Sequence, residues 1–147
     1  MLLNRKLFFV RERVAMLKLT DTYDILDPQT SQPIGIAKEE PGTLVKILRV
    51  FAKKGKLPTR VNIYEDEQQP PLFSITRPFT FIRAKLSIFD STGTCIGYMK
   101  SKLLTIGGGL HVYDTSDQKV AEVKGDWKGW DFKFLGADGT ELGAITK

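Results

Sequence analysis

The chain has 147 residues, 41% hydrophobic and 27% charged, with a formal net charge of +5. That length suits one domain over residues 1–147, and the composition is that of an ordinary globular protein rather than a disordered or fibrous one. One cysteine, Cys95, and one histidine, His111, exclude an internal disulfide and any zinc site made of Cys and His alone.

The opening Met1-Leu2-Leu3-Asn4-Arg5-Lys6 does not lead into the apolar stretch of a secretory signal. No apolar run approaches the roughly 20 residues of a membrane span. A cytoplasmic protein is therefore expected, with a peripheral place at the membrane as an option.

The first strand pair is Tyr23-Asp24-Ile25-Leu26-Asp27, leading through Pro28 to Ile34-Gly35-Ile36. The next segment breaks the pattern. Leu44, Ile47, Leu48 and Phe51 fall at helical spacing, with Gly42-Thr43 as a start and Gly55 as a stop. A short amphipathic helix over 44–54 is predicted. Its apolar stripe would either cap an open barrel end or lie in a membrane interface.

Strand pairing then resumes. Val61-Asn62-Ile63-Tyr64 returns as Leu72-Phe73-Ser74-Ile75, and Leu86-Ser87-Ile88-Phe89-Asp90 returns as Cys95-Ile96-Gly97-Tyr98. Leu110-His111-Val112-Tyr113-Asp114 returns as Lys119-Val120-Ala121-Glu122-Val123, and Phe132-Lys133-Phe134-Leu135-Gly136 as Glu141-Leu142-Gly143-Ala144-Ile145. Alternation puts Leu86 with Ile88, Leu110 with Val112, and Phe132 with Phe134 on one side. Asp, Ser, Thr and Gly fill the intervening turns because they tolerate left-handed backbone or bond their own main chain. Five such hairpins predict an all-β fold, an antiparallel β-barrel of repeated hairpins. A barrel also removes the edges of a long sheet.

Charge is unevenly spread. Between Leu44 and Tyr64 stand Lys46, Arg49, Lys53, Lys54, Lys56 and Arg60, with no acid among them. From Leu110 onward seven acids outnumber five lysines. The basic run is either a solvated face or a surface for anionic partners such as lipid headgroups.

Little else points to chemistry. His111 on a strand would face away from Leu110 and Val112, and nothing marks it as a base for Cys95. Gly107-Gly108-Gly109 lacks the Lys-Ser/Thr of a P-loop and reads as a turn. Asp90, Asp114 and Asp138 sit in turns, where they serve turn geometry rather than a carboxylate pair. Trp127 and Trp130 flank Lys128-Gly129, and one of them is expected in the core. Nucleic acid is disfavoured, because the tryptophans sit beside Asp126 and Asp131 while the basic run lies elsewhere. No enzyme activity and no cofactor is expected.

Three stretches together resemble one family. They are Ile75-Thr76-Arg77-Pro78-Phe79-Thr80-Phe81-Ile82-Arg83 running into Leu86-Ser87-Ile88-Phe89-Asp90; Ile96-Gly97-Tyr98-Met99-Lys100-Ser101-Lys102 with Ile106-Gly107-Gly108-Gly109; and Lys124-Gly125-Asp126-Trp127-Lys128-Gly129-Trp130-Asp131-Phe132. In this order they resemble the bacterial phospholipid scramblase-related and LURP-one-related proteins of the Tubby-like superfamily, from about Leu7 to the end. The resemblance implies a closed antiparallel barrel around a hydrophobic C-terminal helix. This sequence departs from the family after Gly143-Ala144-Ile145-Thr146-Lys147, before the family's Trp-containing stretch, its acidic segment and that helix. The calcium site and the central helix therefore carry over to no residue here, and scrambling loses its support.

A barrel lacking its plug would offer an apolar bore to a ligand or to a partner segment. The resemblance further implies phosphoinositide-type binding, which the basic run independently permits. The expected headgroup contacts are Lys46, Arg49, Lys53, Lys54, Lys56 and Arg60, with Arg77 and Arg83 beside them. Two alternatives stand next to this membrane-docking reading: a soluble carrier of a fatty acid or similar ligand, and a structural or interaction protein. The sequence leaves the oligomeric state open.

Overall fold

The computed structural model describes residues 1–14, 20–42, 45, 57–79, 85–102, 109–126 and 129–147. Of the expected helix over 44–54, only Val45 lies within them, and it is helical. A single 3-10 turn, Leu2–Asn4, precedes the strands. Among the described residues eleven strands follow: β1 (Phe9–Glu12), β2 (Thr22–Leu26), β3 (Pro33–Glu39), β4 (Thr59–Tyr64), β5 (Phe73–Arg77), β6 (Lys85–Asp90), β7 (Cys95–Ser101), β8 (Gly109–Tyr113), β9 (Lys119–Asp126), β10 (Asp131–Gly136) and β11 (Glu141–Ile145). They form one sheet in sequence order, each strand antiparallel to the next.

The chain is thus all-β, and among the described residues its sheet is not closed into the expected barrel. Among the described residues β1 pairs only with β2, and β11 only with β10. Both edge strands are largely exposed along their length. A barrel closes around side chains that fill its interior. Here Ile75, Leu86, Ile88, Met99, Leu110 and Val112, which would line such an interior, remain only half-buried.

Residues opposite one another in a ladder share a face, so the register sorts the side chains. Val61 pairs with Ile75 and Ile75 with Ile88. Leu86 pairs with Met99, Met99 with Val112, and Val112 with Ala121. Leu110 pairs with Val123, and Val123 with Phe134. This is the apolar face. On the other face Arg60 pairs with Thr76, Thr76 with Ser87, Ser87 with Tyr98, and Tyr98 with Tyr113.

Turn chemistry fixes that register. Asp90 Oδ1 accepts from the backbone N–H of Thr92 and of Thr94, both at 2.9 Å. Asp114 Oδ1 accepts from Ser116 and Gln118 at 2.8 and 2.9 Å. Two residues per turn are thereby tied to one carboxylate. Asp138 accepts from Thr140 N–H at 3.0 Å, and Gly139 supplies the φ of +85° that its turn requires. Gly125 answers a different need. A Cβ there would lie 2.1 Å from the Asp131 carbonyl oxygen, so β9 and β10 could not approach as they do.

Among the described residues most of the buried side chains belong to the first strands. Leu26, Ile36 and Ile63 are buried there with Leu2 and Leu57, and so are the polar side chains Asp24, Glu39, Asn62 and Ser74. Each polar one has partners. Asn62 Nδ2 donates to Glu40 Oε2 at 2.6 Å, Arg60 Nε donates to Asn62 Oδ1 at 3.1 Å, and Arg60 Nη2 donates to Ser74 Oγ at 3.3 Å. Asp24 faces Arg13 and Arg11 at 2.6 and 3.4 Å. From β6 onward the buried hydrophobic residues among those described are Tyr98, Val123 and Phe132.

Candidate anion-binding face

The sequence-predicted headgroup residues divide in the structure. Lys46, Arg49, Lys53, Lys54, Lys56 and Arg83 lie outside the described residues. Arg60 and Arg77 are described, and they occupy opposite faces: Arg60 pairs with Thr76, while its neighbour Arg77 pairs with Thr59. Arg60 is engaged by Asn62 and Ser74. Arg77 Nη2 donates to the Leu57 carbonyl and to Thr59 Oγ1, each at 3.3 Å. It lines a cleft of about 330 Å³ together with Asp21 and Glu39. The structure does not bring these two arginines into one site.

A different set of cations does converge, on the polar face of β6 to β9. Lys85 pairs with Lys100, Lys100 with His111, and His111 with Glu122. In the next rows lie Tyr98, Tyr113 and Lys119 on one side, and Gly109 with Lys124 on the other. Lys102, two residues beyond Lys100, donates its N–H to the Gly109 carbonyl and so stays in line with the ladder.

Two arrangements hold these lysines. Tyr98 and Tyr113 stack with centroids 5.1 Å apart. Lys85 Nζ lies 4.2 Å above the Tyr98 ring, and Lys100 Nζ lies 4.9 Å from Tyr98 and 5.5 Å from Tyr113. The negative ring faces attract both ammonium groups while leaving their charge unneutralised. Tyr98 OH donates to Asp117 Oδ1. That bond to a carboxylate holds the phenol protonated, its pKa pushed up to about 12.

The second arrangement centres on Glu122. Its carboxylate meets Lys124 Nζ at 2.7 Å, Lys102 Nζ at 3.1 Å and Lys119 Nζ at 3.2 Å, with His111 Nε2 at 3.5 Å. The Lys124 and Lys102 contacts lower the Glu122 pKa to about 2. Burial, reinforced by Lys102 and Lys119, lowers the His111 pKa. At neutral pH that imidazole is uncharged, and the positive charge belongs to the lysines. Five lysines thus stand with Glu122, Asp117 and the nearby Asp114, an excess of two positive charges.

Sequence reasoning missed this face because no linear window contains it. Lys85, Lys100, Lys102, Lys119 and Lys124 come from three strands and the end of one of them, and the stretch holding the last two has more acids than bases. The available signal was alternation: Lys100 with Lys102, and Glu122 with Lys124, each two apart on a strand.

Other candidates resolve simply. His111 faces away from Leu110 and Val112 and meets Tyr113 edge-on. Cys95 is an exposed free thiol. Trp130 is 55% exposed, with φ of +54°, and so lies outside the core. Trp127, Gly107 and Gly108 lie outside the described residues. Among the described residues no three His, Cys, Asp or Glu side chains gather in a metal-holding group, and no helix is long and apolar enough to cross a membrane. No family model, curated protein or solved structure matches this chain.

Proposed function

We propose that this chain is a non-enzymatic binding module that docks on anionic phospholipid surfaces through the lysine face of β6 to β9. The observation that carries this reading is the convergence of Lys85, Lys100, Lys102, Lys119 and Lys124 on one side of the sheet. Lysines clustered near a negatively charged bilayer each contribute about 1 kcal/mol of attraction, within a Debye length of the surface. Tyrosines among them have an apolar body and a polar tip, which suits the headgroup layer. The basic run from Lys46 to Arg60 would extend the same attraction. The Tubby-like, scramblase-related resemblance agrees with this reading and adds that the sheet is a segment of a barrel.

Co-sedimentation with liposomes tests it. The chain should pellet with vesicles containing phosphatidylglycerol and not with neutral phosphatidylcholine vesicles, and 0.5 M salt should release it. Equal pelleting with both vesicle types, or none with either, would overturn the assignment.

One observation favours a second reading, a carrier of an apolar ligand. The Leu2–Asn4 turn and the residues after it overlie the apolar face, leaving a cleft of about 310 Å³ lined by Leu2, Leu3, Phe8, Val10, Ile63 and Phe73. Leu3, Phe8 and Val10 are exposed around it. Native mass spectrometry of the purified chain would show a bound acyl ligand on this reading, and the bare chain mass would remove it.

A further inference from the structure

The three lysines around Glu122 are organised differently from the two above the tyrosines. One carboxylate, 13% exposed, gathers three ammonium groups within 3.2 Å. Lys102 is 10% exposed and belongs to the interior side of this group, while Lys119 and Lys124 are 41% and 59% exposed and open outward. Three lysines against one carboxylate leave two positive charges uncompensated. A chain that needed only to neutralise Glu122 would need one lysine.

We propose that Lys102, Lys119, Lys124 and Glu122 form a subsite for the phosphate monoester of a lipid headgroup, and that it discriminates monoesters from diesters by charge. This deepens the docking function proposed above and rests on it. A phosphate monoester near neutral pH carries −1.5 to −2 charges, which matches the surplus of two. A diester carries one negative charge and leaves the subsite half-compensated.

Lysine suits the exchange better than arginine. Its ammonium is a compact charge on a flexible stem, so it can leave one oxygen for another without breaking a two-pronged fork. Lys119 and Lys124 can swing outward to a phosphate, because exposed ion pairs hold only weakly. Lys102 stays with Glu122 and keeps that half-buried carboxylate compensated. Glu122 therefore acts as the preorganiser: it holds the ammonium groups together when no ligand is bound, against their mutual repulsion. Lys85 and Lys100, whose contacts are ring faces, supply the general attraction to any anionic surface and carry no monoester preference.

The test uses two sets of vesicles matched for total surface charge, one with phosphatidic acid and one with phosphatidylglycerol. The full chain should bind the phosphatidic acid vesicles about five- to ten-fold more tightly. The Lys119→Ala/Lys124→Ala double variant should bind both sets alike while still pelleting with them. Glu122→Gln, which adds one positive charge, should tighten phosphatidylglycerol binding and narrow the ratio at least two-fold. Equal binding of the two sets by the unaltered chain, or a preference that survives the double variant, overturns the subsite and leaves the docking function standing. Absence of binding to both sets overturns the docking function itself. Glycerol 3-phosphate at millimolar concentration should erase the preference. If it binds the chain, by shifts of the Lys102 and Lys124 amide resonances, while neither vesicle does, the site is one for soluble phosphate and the lipid source is wrong.

Discussion

The two ends of the sheet use charged side chains in opposite ways. In the first strands the buried Asp24 carboxylate is neutralised by Arg13 and Arg11, and the buried Asn62 amide bridges the charged Glu40 and Arg60. Those contacts lie beside Leu26 and Ile36, which are 1% and 4% exposed. On the polar face of β6 to β9 five lysines gather around the stacked tyrosines and Glu122, and Lys85, Lys119 and Lys124 are exposed. A buried charge must be matched where it lies, or folding suffers. A surplus of exposed charge costs stability little and remains available to a partner. On this account the first strands hold the fold and the later strands present the ligand face.

The sharpest way to break that division is to remove a buried side chain from the first strands. Leu26 is 1% exposed, so Leu26→Ala should lower the unfolding free energy by about 3 kcal/mol in urea titration. Below the melting temperature, vesicle binding should be unchanged. Next comes the polar network. Asn62→Ala strips partners from Arg60, Glu40 and Tyr64 at once and should cost about 1.5 kcal/mol, again without loss of binding.

Acid should separate the regions by a different route. Asp24 and Glu122 both have pKa values lowered in the folded chain, by Arg13 and by Lys124 first of all. A carboxylate whose pKa falls on folding contributes stability that is full above its unfolded value. For Glu122 that contribution is lost as pH drops from the ordinary 4.5 toward about 2. The unfolding midpoint should therefore fall with pH through this window, and Glu122→Gln should flatten part of the fall.

The smallest stability effect belongs to the ligand face. Lys85→Ala/Lys100→Ala removes two ammonium groups whose contacts are ring faces. It should move the melting temperature by no more than about 2 °C, since exposed pairs are worth roughly 0.5 kcal/mol, yet weaken vesicle binding about ten-fold.

Much of the strand layout was legible because its signals are local. Leu86 and Ile88, Leu110 and Val112, and Phe132 and Phe134 alternate over two residues, and Asp90, Asp114 and Asp138 mark turns whose bonds span two to four residues. β1 escaped notice because Phe9 and Val10 are adjacent apolar residues with no alternation. Barrel closure is not local at all. It depends on whether β1 meets β11, which no short window specifies. The candidate site failed for the same reason. A basic run such as Lys53-Lys54-Gly55-Lys56 is visible in a window, whereas Lys85, Lys100 and Lys124 become neighbours only through the register of four strands.

The most direct test reverses two charges in each region and compares them at equal net charge. Lys100→Glu/Lys124→Glu alters the lysine face, and Lys6→Glu/Lys38→Glu alters the first strands and the segment before them. Both variants and the unaltered chain would be co-sedimented with phosphatidylglycerol vesicles at 0.1 M salt. The account predicts that the first pair abolishes binding while the second weakens it less than two-fold. Equal loss from both pairs would mean that net charge alone drives the interaction, and would contradict a binding face on β6 to β9.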